Sequence, residues 1–137
     1  MKKLITICLV LATSFTVKAQ DMSFEETVKY IQEKINCCTV DYDDGTTRYS
    51  KIEINKNGNI NFVRSEAQNL PFNLFDLNKR GDCKCGISQE GTYVEFWYES
   101  NRCKRIKLTT IPESGRVYKA FLHLLTLCNK TKDPFDN

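Results

Sequence analysis

Apolar residues recur along the chain with two different periods, and the changes of period divide it into helices and strands. Near the start, four apolar residues fall four, three and four positions apart, which places them in one stripe along a helix. Ser23 and Glu26 form a capping box in front of this stripe. The pattern therefore predicts an amphipathic helix over residues 23–36. The stripe residues are Phe24, Val28, Ile31 and Ile35.

The period then shortens to two, which is typical of strands. Short alternating runs are separated by turn signals such as Asp44-Gly45 and Asn57-Gly58, about every eight to twelve residues. This rhythm is typical of an antiparallel barrel or sandwich. About seven strands are predicted, at residues 38–43, 48–55, 59–64, 70–77, 83–88, 92–99 and 103–111.

A second helical period follows Pro112, which we expect to end the last strand. Val117, Phe121, Leu124 and Cys128 form one apolar stripe and predict an amphipathic helix over residues 114–128. The predicted fold class is therefore α+β. It combines about seven antiparallel strands, as a barrel or sandwich, with an N-terminal and a C-terminal amphipathic helix.

The order of these elements resembles the pleckstrin-homology-like superfold over residues 38–128, since seven strands are followed by one amphipathic helix. The resemblance implies a partly open barrel plugged at one end by the helix, to which the first helix is an addition. Members of that superfold that bind phosphoinositides use basic residues in the first hairpin. This chain has Asp43-Asp44-Gly45-Thr46 there, so the resemblance does not extend to that ligand.

The first residues have the pattern of an export signal. Lys2 and Lys3 precede an uncharged run over residues 4–17, which is too short to span a hydrocarbon core of about 30 Å. Ala19 is the small residue expected before a cleavage site. We predict a signal peptide over residues 1–19 and a single secreted domain over residues 20–137. This domain has no transmembrane segment and is periplasmic or extracellular.

The residues around the predicted cleavage site carry a second resemblance. The ending Lys18-Ala19-Gln20 resembles signal peptides of secreted proteins from Bacteroidota-type bacteria. The whole chain is similar to small secreted proteins of that group. The resemblance implies export but no particular activity.

Removal of the signal changes the charge of the chain. The 137 residues carry a net charge of +3, from 20 Lys and Arg against 17 Asp and Glu. Lys2, Lys3 and Lys18 leave with the signal, and the remaining domain has no net charge. A neutral domain has no overall field to attract nucleic acid, so we expect no nucleic-acid partner.

The cysteine count also changes, from seven to six, because Cys8 lies in the signal. An even number in an exported domain favours disulfides over metal ligands. The chain has one His and no C-x-x-C spacing, so neither a metal nor a cofactor is expected. The six candidates are Cys37, Cys38, Cys83, Cys85, Cys103 and Cys128. We expect Cys37 or Cys38 to bridge to Cys85, Cys103 or Cys128.

One strand carries candidate ligand-binding residues. Tyr93, Glu95, Trp97 and Glu99 share a face, and aromatic rings beside carboxylates suit a sugar or a cationic peptide. The competing interpretation, which we favour, is that the first helix covers Tyr93 and Trp97, because its apolar stripe must be buried somewhere.

Two further groups of residues are interpreted as solvated. Four basic residues lie in or directly before the next strand, which is typical of a strand protected from aggregation. These are Arg102, Lys104, Arg105 and Lys107. Binding of a small anionic patch is the weaker alternative. His123 falls on the polar face of the second helix, and the sequence places no nucleophile beside it.

The leading functional hypothesis is a non-catalytic binding or interaction domain for an unknown protein, peptide or glycan. The sequence shows no pattern of catalytic residues, so an enzyme is the less favoured class. One alternative is a thiol-disulfide redox protein that uses Cys83 and Cys85. A second alternative is glycan or peptide binding through the aromatic strand face.

Overall fold

The computed structural model describes residues 21–35, 39–42, 45–48, 51–63, 70–77, 85–99 and 102–130. Within these residues the fold is α+β, with two helices, α1 (Phe24–Ile35) and α2 (Ile111–Leu127). A short 3-10 helix, Leu74–Asp76, follows the fifth strand. The strands are β1 (Thr39–Tyr42), β2 (Gly45–Arg48), β3 (Lys51–Ile54), β4 (Asn59–Val63), β5 (Leu70–Asn73), β6 (Ile87–Glu90), β7 (Tyr93–Glu99) and β8 (Arg102–Lys107).

These strands form two separate antiparallel sheets. One sheet has five strands in the order β2-β1-β8-β7-β6, and the other has three in the order β3-β4-β5. They do not close into a barrel. The prediction of about seven strands in one barrel or sandwich is therefore wrong.

The pairing of β1 with β8 is one reason for the difference. The register joins Val40 to Ile106, so the five-stranded sheet is built from both ends of the described chain. A second reason is that α2 packs against β6 and β7. The rings of Phe121 on α2 and Phe96 on β7 meet edge to face with centroids 4.9 Å apart. The sheet face that a barrel would enclose is thus covered by a helix, which is an equally effective way to bury it.

Aromatic rings connect the two sheets through a common core. Phe62 and Phe72 stack with centroids 6.0 Å apart, and Phe72 lies 5.2 Å from Phe96. Phe62 and Phe72 belong to the three-stranded sheet, and Phe96 belongs to the five-stranded one. Both helices add buried residues to the same cluster, including Ile31 of α1.

The first helix begins as its sequence predicts. The Ser23 backbone N–H donates to Glu26 Oε2 at 2.8 Å, and the Glu26 N–H donates to Ser23 Oγ at 3.2 Å. The hydrogen bonds from Ser23 also lower the pKa of Glu26 below its ordinary value. Gln32 Nε2 donates to the Ile52 carbonyl at 3.0 Å, so α1 satisfies a backbone acceptor of β3.

The second helix begins earlier than predicted, at Ile111. The Thr110 hydroxyl accepts the Glu113 N–H at 3.3 Å, and Pro112 occupies the first turn. Proline is favoured there because the N–H that it lacks would have no helical partner. Pro112 therefore starts the helix and does not end the strand.

The β3–β4 hairpin shows why Gly58 is needed. Gly58 has φ of +77°, which L side chains rarely adopt, and a Cβ there would lie 3.0 Å from Cε2 of Phe75. Asn55 Oδ1 accepts the Asn57 and Asn59 N–H groups at 3.0 and 3.1 Å, which closes the turn.

Candidate functional site

The side of the five-stranded sheet opposite α2 carries polar and aromatic side chains. Val94 and Phe96 of β7 are fully buried in the core, and the residues between them alternate to the other side. The register brings Ser88 of β6 and Arg105 of β8 to either side of Glu95. We call this surface the polar face, and it comprises Ser88, Glu90, Tyr93, Glu95, Trp97, Cys103, Arg105 and Lys107.

A buried carboxylate is at the centre of the polar face. The Glu95 side chain is only 4% exposed, and its Oε1 lies 3.1 Å from Arg105 Nε. Its other oxygen, Oε2, accepts a hydrogen bond from Ser88 Oγ at 2.9 Å. A buried charge of this kind is tolerated only when it is paired and hydrogen-bonded. Both oxygens of Glu95 therefore have partners within the protein, and the carboxylate is buried away from a ligand in the solvent.

The Trp97 indole is tied to the same network. Its Nε1–H donates to Ser88 Oγ at 2.9 Å, and Ser88 in turn donates to Glu95. The Trp97 side chain is half-buried. Because both hydrogen bonds of Ser88 are made inside the protein, the chain of contacts fixes the orientation of the indole.

Arg105 contacts Cys103 and Glu95 through its Nε atom. This Nε donates a hydrogen bond to Cys103 Sγ at 3.4 Å, and the same nitrogen forms the ion pair with Glu95. The hydrogen bond to Cys103 raises the pKa of Arg105, and the nearby charges of Glu95 and Glu90 raise it further. The Arg105 side chain is 45% exposed, so the guanidinium reaches the surface.

The Tyr93 ring lies beside two cations. Arg105 Cζ and Lys107 Nζ are each 5.9 Å from the ring centroid, which is within the range of cation–π attraction. Both cationic residues are exposed, and Tyr93 is half-buried. This ring is therefore associated with positive groups and not with the carboxylates that the sequence pattern suggested.

The fourth predicted residue, Glu99, is at the end of β7. The register shifts between Trp97 and Glu99, where Trp97 pairs with Cys103 and Glu99 with Arg102. A β-bulge of this kind breaks the alternation of side chains. The structure brings together Tyr93, Glu95 and Trp97, but the regular spacing that joined Glu99 to them does not hold.

The first helix, α1, does not pack against the polar face. Its main contacts are with α2 and β3, and its buried residues Ile31 and Ile35 join the common core. Our favoured interpretation, in which this helix covers Tyr93 and Trp97, is therefore corrected. The core that α1 shares with α2 is sufficient to bury its apolar stripe.

The described cysteines are not joined to one another by disulfides. Cys103 is buried, whereas Cys85 and Cys128 are half-buried. Burial raises the pKa of the Cys128 thiol, which makes it less reactive. Cys37, Cys38 and Cys83 lie outside the described residues, so the bridge from the first helix and the redox pair of Cys83 with Cys85 stay predictions.

Two residues interpreted as solvated have internal contacts. The His123 Nε2 lies 2.8 Å from the Met22 carbonyl, so this ring holds the segment before α1. The Lys104 Nζ lies over the Phe72 and Tyr98 rings, at 4.7 and 5.6 Å, and burial lowers the pKa of its amine. In addition, β8 is an internal strand between β1 and β7, so its basic residues do not protect an edge.

The sequence did not point to Ser88, although its hydroxyl links the Trp97 indole to the Glu95 carboxylate. The sequence signal is weak, since Ser88 is one polar residue in a short strand. Its role depends on standing directly opposite Glu95, and this follows from the two-residue turn at Gly91 and Thr92 between β6 and β7.

Comparison with known proteins does not assign the polar face a function. No family model matches the chain, and neither does any curated protein or solved structure. Within the described part of the chain, no helix is long and apolar enough to cross a membrane. The same residues contain no group of three or more His, Cys, Asp or Glu placed to hold a metal ion.

Proposed function

We propose that this protein is an exported, non-catalytic binding domain and that the polar face is its recognition surface. The observation that carries the proposal is the chain of hydrogen bonds from Trp97 through Ser88 to Glu95. This chain of hydrogen bonds holds a half-exposed aromatic side chain in one orientation on β7, an internal strand of the five-stranded sheet. The proposed location is the periplasm or the extracellular space.

A fixed aromatic residue supports binding because it lowers the entropic cost of association. Side chains that must be immobilised on binding cost about 0.5–1.5 kcal/mol each, and this cost is reduced when they are held beforehand. Tryptophan, tyrosine and arginine are the residues most often responsible for binding energy at protein surfaces. All three types are neighbours on the polar face.

The chemistry of the same residues supports binding over catalysis. A general base needs a free lone pair within reach of a substrate. The Glu95 side chain is only 4% exposed, and its oxygens contact Arg105 and Ser88. His123 belongs to α2, which packs against the opposite face of the sheet.

The proposal is tested with the single tryptophan of the chain as a reporter. Purified protein is titrated with hexaglutamate, hexalysine and neutral oligosaccharides up to millimolar concentration, and both Trp97 fluorescence and amide NMR shifts are followed. We expect at least one compound to shift residues of β7 and β8. Tyr93→Ala should weaken this binding several-fold.

The matched control is Tyr30→Ala, which removes a half-buried tyrosine ring from α1 and should leave binding unchanged. Shifts that map to the three-stranded sheet would contradict the proposal. An absence of shifts with every compound at millimolar concentration would also contradict it.

A further inference from the structure

Two cations share one aromatic ring on the polar face. Arg105 and Lys107 lie two residues apart on β8, and both approach the Tyr93 ring to 5.9 Å. Residues at this spacing in a strand point to the same side, about 6.8 Å apart. Like charges held this close repel each other, and an anion bound between them would remove the repulsion.

The inward contacts of Arg105 leave donors for such an anion. Arg105 Nε is used by Glu95 and Cys103, whereas its two Nη groups and the Lys107 ammonium make no hydrogen bond to a carboxylate among the residues that the structure describes. Glu95 is buried, and its two oxygens already contact Arg105 and Ser88. At the surface, the polar face presents the cations Arg105 and Lys107 together with the exposed carboxylate of Glu90, which the register places opposite Tyr93.

Two other acids belong to the surroundings of Arg105. The charge of Glu90 contributes to the raised pKa of Arg105 without a direct ion pair, and the register places Asp41 of β1 opposite Arg105. Lys107 stands opposite Thr39 on that side. Lys107 is therefore the cation whose neighbours on β1 and β7, Thr39 and Tyr93, carry no acid.

We propose that Arg105 and Lys107 bind the carboxylates of an acidic peptide segment lying across Tyr93. This inference rests on the proposed function, since it names the ligand class for the same surface. The Arg105 guanidinium can donate two parallel hydrogen bonds to one carboxylate. Alternate side chains of an extended peptide repeat about every 6.8 Å, which is also the backbone repeat that separates positions 105 and 107 on β8.

The spacing favours a peptide over a single small anion. Inorganic phosphate would engage one cation fully, or both at longer distance, and it has no second charge at the repeat of a strand. An extended peptide with glutamates at positions i and i+2 places one carboxylate at each cation. The Tyr93 ring would lie beneath the intervening backbone.

The test is an amide NMR titration of the purified protein with hexaglutamate at 50 mM and 300 mM salt. Inorganic phosphate, hexalysine and oligogalacturonate serve as comparison ligands. We expect hexaglutamate to shift the amides of Tyr93, Arg105 and Lys107, with weaker binding at high salt, because exposed charges are screened. Phosphate should bind at least tenfold more weakly.

The informative variants are at Lys107, because Arg105 is also the counter-ion of Glu95. Lys107→Gln should weaken hexaglutamate binding by about two- to fivefold, the range of one exposed ion pair, and Lys107→Glu should weaken it further. The matched control is Lys119→Glu, which makes the same charge change at an exposed position of α2. It should change the affinity less than twofold.

The outcomes separate this inference from the proposed function. Equal losses in Lys107→Glu and Lys119→Glu would overturn the inference, since they would show attraction by overall charge. Equal affinity for phosphate or oligogalacturonate would also overturn it, in favour of a general anion site. If only hexalysine or a neutral sugar shifts the polar face, the inference fails and the proposed function stands. If no ligand shifts this face, both fail.

Discussion

Replacement of Arg105 by methionine tests whether the polar face is organised by its buried charge. The variant keeps most of the length of the side chain but leaves the Glu95 carboxylate, only 4% exposed, without its cation. Breaking a fully buried ion pair costs about 3–5 kcal/mol, whereas an exposed pair is worth about 0.2–1 kcal/mol. Arg105 is 45% exposed, and Ser88 continues to donate to Glu95. We therefore expect a loss of about 2–3 kcal/mol in unfolding free energy, between those limits.

A second variant separates the charge from the packing. Glu95→Gln removes the buried charge and keeps an acceptor for the Ser88 hydroxyl, while Arg105 can be solvated at the surface. This change should cost about 1 kcal/mol, the value of one hydrogen bond. The double variant Glu95→Gln with Arg105→Met should be more stable than the sum of the single losses implies. We expect a coupling free energy of about 1–2 kcal/mol, as for residues in direct contact.

The assay is urea unfolding, followed by Trp97 fluorescence and by circular dichroism. Coincident transitions with the two probes would support two-state analysis. The matched control is Arg116→Met, which makes the same substitution at an exposed position of α2 and should change stability by less than about 0.5 kcal/mol. If Arg105→Met costs no more than Arg116→Met, or if the coupling is zero, Glu95 does not depend on Arg105.

Three further variants test other parts of the fold. Gly58→Ala should destabilise the fold by more than Gly91→Ala, although both glycines have positive φ. A Cβ at Gly58 would lie 3.0 Å from Phe75, whereas a Cβ at Gly91 would have nothing within 4 Å. Equal losses of unfolding free energy in urea would contradict this prediction. Burial lowers the pKa of Lys104, so the folded protein releases that proton at a lower pH than the unfolded chain does. Just below the ordinary lysine pKa of about 10.4, the unfolding free energy of the wild type should therefore rise with pH relative to that of Lys104→Met. Parallel pH profiles of the two proteins would show that burial of this amine is fully offset. Ser114→Ala should cost about 1–3 kcal/mol, because the buried hydroxyl donates to the Gly91 carbonyl at 2.7 Å, and an unchanged urea midpoint would refute that role.

Features determined by neighbouring residues could be predicted from the sequence. The capping box at Ser23 and Glu26 involves residues three apart, and both of its hydrogen bonds are present. The apolar stripe from Phe24 to Ile35 could also be predicted, because its period alone indicates a helix. The alternation along Tyr93 to Trp97 also follows from local geometry, because successive side chains of a strand point to opposite faces.

The contacts that depend on strand register could not be predicted. In a regular hairpin with its turn at residues 100 and 101, Arg105 would stand opposite Phe96 and point to the core side. The bulge between Trp97 and Glu99 adds one residue to β7 and moves Arg105 opposite Glu95. A one-residue shift of this kind exchanges the two faces of a strand, and the length of the turn does not indicate it.

The pairing of strands that are far apart in the sequence also could not be predicted from the period of the apolar residues. The alternation of β1 and of β8 is the same whether or not they are neighbours, yet their pairing decides which sheet each belongs to. The prediction of a barrel followed from the number and rhythm of the strands, which do not specify their partners. The common core of Phe62, Phe72, Phe96 and Phe121 depends on that choice.

The contact between His123 and Met22 sets an order of events for an exported chain. Once the His123 ring holds the Met22 carbonyl, that anchor lies only three positions after Ala19, the last residue of the predicted signal. Three residues span at most about 11 Å even when fully extended, a short distance for a protease that must bind its substrate in a cleft. For the signal predicted over residues 1–19, removal is therefore expected to precede the docking of α1 onto α2, which makes that docking a late step of folding.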